Sequence, residues 1–340
     1  MIDTNLMSTA LKTHVALQVD DTSKSISALC LRLLSEQRRT WPELKEGYET
    51  LKGVKVREIS CGGYPVRIHY NPGRIKSTLA DVSDSAINGR PCFLCPANLP
   101  EAQKGILYRN EFMILCNPRP VFHSHFTISH VHHLPQAIAN NIDTFLQLIA
   151  DFGSGWAVLY NGPQCGASAP DHLHFQAIPS GQMPVEKTIA GKERLAVVAE
   201  ADGIRLSRLR GIGREVVVLA GDNPVTVGDA FKRFQDALRK VLCADEEPMM
   251  NVAGFYEEDT WRLIIFPRAK HRPDAFFREG DERIVVSPAV IEMGGVIVTP
   301  KERDFERLDT KTVEAIYREV SLDAVIVDDA VANQCNTGLK

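Results

Sequence analysis

The chain has 340 residues, 44% apolar and 24% charged, and its 23 Gly and 19 Pro sit near the globular average, which excludes a disordered, collagen-like or coiled-coil protein. At about 150 residues per domain the length predicts two domains, or one built on a duplicated unit. A net charge of −4 offers no basic field for a phosphate backbone, and eight scattered cysteines form no disulfide scaffold. Nucleic acid is therefore not expected as the main partner. No apolar run approaches the roughly 20 residues that span a bilayer, and no signal-peptide core opens the chain, so neither membrane nor secretion is expected and a cytoplasmic protein is.

The elements follow in chain order. Ser23 to Lys52 carries a helical stripe, Ile26, Leu29, Leu33 and Leu34, which Pro42 must kink or restart. Val54–Ile59 and Tyr64–Tyr70 read as strands around Gly62-Gly63, and Tyr108–Leu115 and Val121–Ser129 as strands around Asn117-Pro118-Arg119-Pro120. From Leu134 the period becomes helical, with Ile138, Ile142, Phe145, Ile149 and Phe152 spaced 4, 3, 4 and 3 and Gly153 as the stop. Trp156–Tyr160 is then a strand, 161–170 a loop and His172–Ile178 a second strand. The same order recurs about ninety residues later: a helix striped by Val227, Phe231, Phe234, Leu238 and Leu242, then strands Met249–Phe255 and Trp261–Phe266. Aligning Pro179 with Pro267 puts Arg262 where His174 stands and Thr260 where His172 stands, so the second copy keeps the scaffold and loses the chemistry.

Seven of the ten histidines fall between residues 123 and 174, where uniform placement gives about 1.5. The sharpest element is His172-Leu173-His174-Phe175-Gln176-Ala177, bracketed by Pro170 and Pro179. As a strand it puts His172, His174 and Gln176 on one face, roughly 6.5–7 Å apart, and sends Leu173, Phe175 and Ala177 to the core. The preceding loop, Asn161-Gly-Pro-Gln164-Cys-Gly166-Ala-Ser168, is rich in small residues that let backbone N–H groups approach a phosphate. A neutral imidazole beside bound phosphate is a competent phosphorus nucleophile, so these residues suggest nucleotidyl transfer through a covalent histidine.

The His172-x-His174-x-Gln176 pattern with Gly-Ala-Ser before it resembles the histidine-triad superfamily in its transferase branch, which includes galactose-1-phosphate uridylyltransferases, dinucleoside tetraphosphate phosphorylases and GDP-hexose phosphorylases. The last group is favoured by His172–Ala177, by Met183-Pro-Val-Glu-Lys187 and by Pro288-Ala-Val-Ile-Glu292. The resemblance implies His174 as nucleophile, Gln176 as donor to the phosphate, and His172 as orienting group or metal ligand. It implies substrate contacts from Asn161 and Ser168; the loop's small and amide residues add Gln164 and Gly166, and sequence position puts Lys187 forward as the cation for leaving phosphate. Pro91-Cys92-Phe-Leu-Cys95 and Ser129-His130-Val-His-His-Leu-Pro135 resemble the uridylyltransferases instead, implying structural zinc on Cys92, Cys95, His130 and His172, the usual tetrahedral stoichiometry.

The architecture expected is α+β, two histidine-triad-like halves of antiparallel sheet and packed helix. Residues 91–200 form the catalytic half, 201–340 the degenerate second half, and 1–90 an N-terminal helix and strand region on that core. The expected partners are a nucleoside-diphosphate sugar and phosphate or a sugar phosphate, and a homodimer is admitted. Alternatives stay open: a uridylyltransferase, a dinucleoside polyphosphate phosphorylase, a nucleotide-sugar binder without catalysis, or a metalloenzyme using the 123–133 histidines. Cys92 and Cys95 also read as two buried thiols, and Arg205, Arg208, Arg210 and Arg214 as a solvated face or an anion site. His125 is the remaining histidine best placed to act.

Overall fold

The computed structural model describes residues 4–19 and 25–338. Its strands are β1 Val15–Val19, β2 Lys55–Cys61, β3 Tyr64–Tyr70, β4 Gly105–Tyr108, β5 Phe112–Cys116, β6 Phe126–His130, β7 Trp156–Asn161, β8 His174–Pro179, β9 Leu195–Ala201, β10 Ile204–Leu209, β11 Val216–Gly221, β12 Met250–Glu257, β13 Thr260–Pro267 and β14 Val296–Thr299. Eleven of them form one sheet in the order β1-β4-β5-β6-β8-β7-β12-β13-β11-β10-β9, and β14-β3-β2 form a second. The expected α+β architecture of antiparallel sheets with packed helices is the observed one.

The strand order carries the duplication. The first half runs 1-2-3-5-4 from its outer edge inward (β4 to β8) and the second half runs the same way (β9 to β13), so the two meet in the middle where β7 pairs antiparallel with β12. Each half inserts its long helix between its third and fourth strands, Ile142–Phe152 in one and Pro224–Val241 in the other. Both predicted stripes are buried except Leu242, which is partly buried and follows its helix as Ile138 precedes the other, and Phe145 packs on Phe175 of β8 at 5.2 Å between ring centroids; burying each such ring contributes roughly 1.5–3 kcal/mol.

Side-chain alternation gives the sheet two different coats. Phe126, Ile128, Val158, Phe175 and Val252 face the helices 26–40, 142–152 and 224–241, whereas Ala157, Ile178, Ala253 and Ile264 face the β14-β3-β2 sheet and the helix Thr310–Val320. His174 and Gln176 share the parity of Ile178, so they open toward the second coat, built from residues 54–70 and 285–320.

Two local expectations change. Tyr108–Leu115 is two strands, because Arg109 and Asn110 adopt positive φ (50° and 58°) and turn the chain. Residues 121–125 are irregular ahead of β6. As expected, the helical segment restarts at Pro42: within the described residues it is two helices, Ile26–Thr40 and Pro42–Thr50, with Pro42 at a position whose N–H needs no partner. Among the described residues no helix is long and apolar enough to cross a membrane.

Candidate active site

β8 begins at His174, not at His172 as the sequence pattern suggests. The reason is a turn: His172 N–H donates to the Ala169 carbonyl and Leu173 N–H to the Leu134 carbonyl, so pleating starts two residues later, at His174. The two imidazoles therefore part company. His174 and Gln176 line a cavity of about 520 Å3, and His172 turns away from it into a cysteine cluster.

His174 is buried, and its Nδ1 lies 2.8 Å from the carbonyl oxygen of His172. A carbonyl only accepts, so Nδ1 carries the proton and Nε2 keeps a free lone pair. Burial lowers the affinity of this ring for a second proton, which keeps it neutral near pH 7. Gln136 fixes the backbone around it: its side chain accepts from His174 N–H at 2.8 Å and donates to the carbonyls of His174 and Asn161 at 3.0 and 2.8 Å.

Gln176 is oriented by His125. The Val121 N–H donates to His125 Nδ1 at 3.2 Å, so Nε2 carries the proton and donates to Gln176 Oε1 at 2.8 Å. The amide NH2 of Gln176 is thereby left as the group available to a ligand. Asn161 is arranged alike. Its Oδ1 accepts from Asn251 Nδ2 and Val290 N–H, both at 2.8 Å, so its NH2 is the end turned to the cavity it lines.

Gly166 and Ser168 also line the cavity. Gly166 has φ +91°, and a Cβ there would stand 2.5 Å from Ala289 Cβ, so only glycine lets this loop pack on the 288–292 segment. Glu292, at the end of that segment, faces the same cavity, and burial pushes its carboxyl up to about 7. Gln164 and Lys187 are exposed and lie outside the cavity lining, which leaves the expected leaving-group cation unplaced. The arginine run is structural: Arg208 is buried against Glu215 and Asp328, Arg214 lies between the Tyr64 and Tyr317 rings, and Arg205 and Arg210 form exposed ion pairs.

Cys92, Cys95, His133 and His172 bring four ligand atoms within 4.8 Å of one another. Cys92 Sγ is 3.3 Å and Cys95 Sγ 3.6 Å from His172 Nδ1, and Cys95 Sγ is 3.3 Å from His133 Nδ1. Sulfur and nitrogen ligands of one tetrahedral zinc stand roughly 3.5 Å apart when their bonds are about 2.3 and 2.0 Å. Each ring also has the outer partner that metal-bound histidines keep: His172 Nε2 is 2.8 Å from the His130 carbonyl, and His133 Nε2 is 3.7 Å from Asp171. The cluster can hold a metal ion. The fourth residue is His133 rather than the expected His130, whose ring ends β6 packed on Phe112 and bonds its Nδ1 to the backbone of His132. The chain turns after β6, and only that turn brings a side chain back to the cysteines.

His133 entered the sequence reading only among the 123–133 histidines, and the residues not singled out at all are Gln136, Asn251 and Arg74. Gln136 and Asn251 are single amides 38 and 90 residues from the groups they hold, and nothing in their local pattern marks them.

Comparison with known proteins bears on this arrangement. Crystal structures of yeast Ap4A phosphorylase Apa2 superpose on the chain. The AMP complex has a TM-score of 0.53 at 14% identity, covering 82% of this chain and 96% of Apa2, and the Ap4A complex has 0.52 at 12% identity, covering 83% and 97%. The chain shares the Ap4A phosphorylase fold. In sequence, residues 33–179 match the model of a domain of unknown function, DUF4922, and residues 226–337 match the GDPGP1-like C-terminal domain. No curated protein matches the chain.

The buried histidines also predict a pH response. Burial holds His125 and His69 at about 4, against the usual 6.5, so in the window between these values the unfolded chain binds more protons than the folded one. Stability is complete above pH 6.5 and falls as the pH drops toward 4, by up to about 1.4 kcal/mol per pH unit for each group. Urea midpoints at pH 7 and pH 5 measure it; equal midpoints would contradict it.

Proposed function

We propose that the chain is a phosphorylase-type nucleotidyltransferase acting on a nucleoside-diphosphate sugar through a covalent nucleotidyl-His174. The observation that carries this is the tautomer of His174, protonated at Nδ1 by its bond to the His172 carbonyl and bare at Nε2 inside the cavity. Nε2 attacks the α-phosphorus, the bond to the bridging oxygen breaks, and the electron pair leaves with that oxygen on hexose 1-phosphate. Inorganic phosphate or a sugar phosphate then attacks the same phosphorus and the N–P bond breaks, so the kinetics are ping-pong. The amide donors of Gln176 and Asn161 and the hydroxyl of Ser168 hold the non-bridging oxygens, and positioning with such donors provides most of the rate.

A GDP-hexose is the favoured substrate, because the GDPGP1-like match spans the Pro288–Glu292 segment that lines the cavity and resembles the GDP-hexose phosphorylases. A second reading, a dinucleoside polyphosphate phosphorylase, is favoured by the shared fold with Apa2. Cys92, Cys95, His133 and His172 would hold zinc in a structural role. A bound dication keeps both thiols as thiolates and ties the 92–95 turn to the residues that precede β8.

Incubation with α-32P-labelled GDP-mannose, then with diadenosine tetraphosphate, followed by acid-labile adduct analysis tests the reading. An adduct that phosphate discharges supports it, and the substrate that labels chooses between the two readings. Tight binding with no adduct from either would leave a binding protein. His125→Leu should lower kcat about 10- to 100-fold with little change in nucleotide KM, since Gln176 loses the bond that turns its NH2 to the ligand. A kcat within twofold of wild type would remove His125 from this role.

A further inference from the structure

With Lys187 outside the cavity, the leaving phosphate has no assigned cation. The cavity wall carries Arg74, Lys76, Arg90 and Arg119 together with Glu43, Asp81 and Glu292. Arg119 is paired with Glu43 at 3.0 Å and Arg90 with Asp171 at 3.3 Å, and Lys76 is exposed. Arg74 differs. It is half-buried, makes no ion pair among the described residues, and spends one N–H on the Arg119 carbonyl at 2.7 Å. A guanidinium has five donors in a rigid fork that matches two phosphate oxygens, so the rest of this fork is available to an anion.

Its mounting is firm. Arg74 lies in the turn after β3, where Asn71 N–H donates to the Thr299 carbonyl and Asn71 Nδ2 to the Pro120 carbonyl at 3.2 Å, and Ser77 Oγ bonds the Arg74 carbonyl at 3.0 Å. Through Pro120 and Arg119 the turn is tied to the loop that carries His125, the partner of Gln176. Arg74, His125, Gln176 and Glu292 line the same cavity as His174.

We infer that Arg74 is the phosphate-binding residue of this site, holding the leaving sugar phosphate as the α-phosphorus passes to His174 and the inorganic phosphate that returns to discharge it. The inference rests on the nucleotidyl-transfer reading. In the first step the bridging P–O bond breaks and its electron pair becomes the second negative charge of the departing phosphate, which the guanidinium meets. In the second, a phosphate oxygen attacks the nucleotidyl phosphorus and the pair in the N–P bond returns to Nε2, with no net proton transfer to protein.

The test follows labelled adduct in wild type, Arg74→Met and Arg74→Lys, with inorganic phosphate as the probe and the ratio of nucleoside diphosphate to monophosphate as the readout. That ratio reports capture by phosphate against capture by water, which a merely structural arginine would not alter. The phosphate concentration giving equal products should rise about 30-fold in Arg74→Met and by a smaller factor in Arg74→Lys, which keeps the charge and loses the fork. If Arg74→Met does not fold, the shift in Arg74→Lys decides. An unchanged ratio in folded variants that still form adduct, or a shift in Lys187→Ala with none in Arg74→Met, overturns the inference alone. Absence of adduct in wild type overturns the reading beneath it.

Discussion

Replacing His174 by alanine should reduce turnover by about 10^4-fold or more, the scale of losing a covalent nucleophile, while the protein stays folded. The ring makes one hydrogen bond to the chain, Nδ1–H to the His172 carbonyl, and its other face borders the cavity rather than packed core. Losing that bond costs about 1 kcal/mol, and water from the cavity can meet the exposed carbonyl. Gln136 still holds the backbone of residue 174 from both sides, so β8 keeps its register. The expected result is an unaltered chromatographic profile, a melting temperature within a few degrees of wild type, and no labelled adduct. Retention of turnover, or of adduct, in His174→Ala would dismiss the site.

The second large effect is expected from the cysteine cluster, where the proposed metal joins stability to catalysis. Burial and the neighbouring Cys92 push the Cys95 thiol up to about 12; a dication at the centre reverses that and makes both sulfurs thiolate ligands. Cys92→Ser should therefore lower stability by on the order of 3–5 kcal/mol, read as a fall of several degrees in melting temperature and loss of stoichiometric metal by elemental analysis. Activity should fall with it. His172 gives its Nδ1 to the cluster and its carbonyl to His174, so freeing the ring of His172 loosens the acceptor that fixes the tautomer of the nucleophile. A purified protein without bound metal, with the same melting temperature before and after chelation, would show that the four residues are only a thiol and imidazole cluster.

Much of this protein was legible in its residues because the signals are periodic or local. The stripes at Ile142, Phe145 and Ile149 and at Phe231, Phe234 and Leu238 announce helices whose apolar face must be covered. The alternation of Leu173, Phe175 and Ala177 with His174 and Gln176 announces a strand with one face in the core and one toward a ligand. The repeated helix and strand pair announces two related halves, and the strand order of the large sheet repeats in mirrored form. Each of these depends on spacing along a few turns or pleats, which sequence records directly.

What depended on the chain returning to itself was decided only in three dimensions. His133 rather than His130 completes the cluster because a turn after β6 reverses the side chain's direction, and a shift of two residues at the start of β8 separates His172 from the cavity. Gln136 and Asn251 hold the site from 38 and 90 residues away, and Arg74 reaches it from the turn after β3. Sequence determined which side chains could do phosphorus chemistry, since that is a property of each residue and its immediate spacing. Tertiary structure decided which of them meet, because hydrogen-bonded tautomers, ligand geometry and unpaired charge are properties of neighbours that only packing brings together.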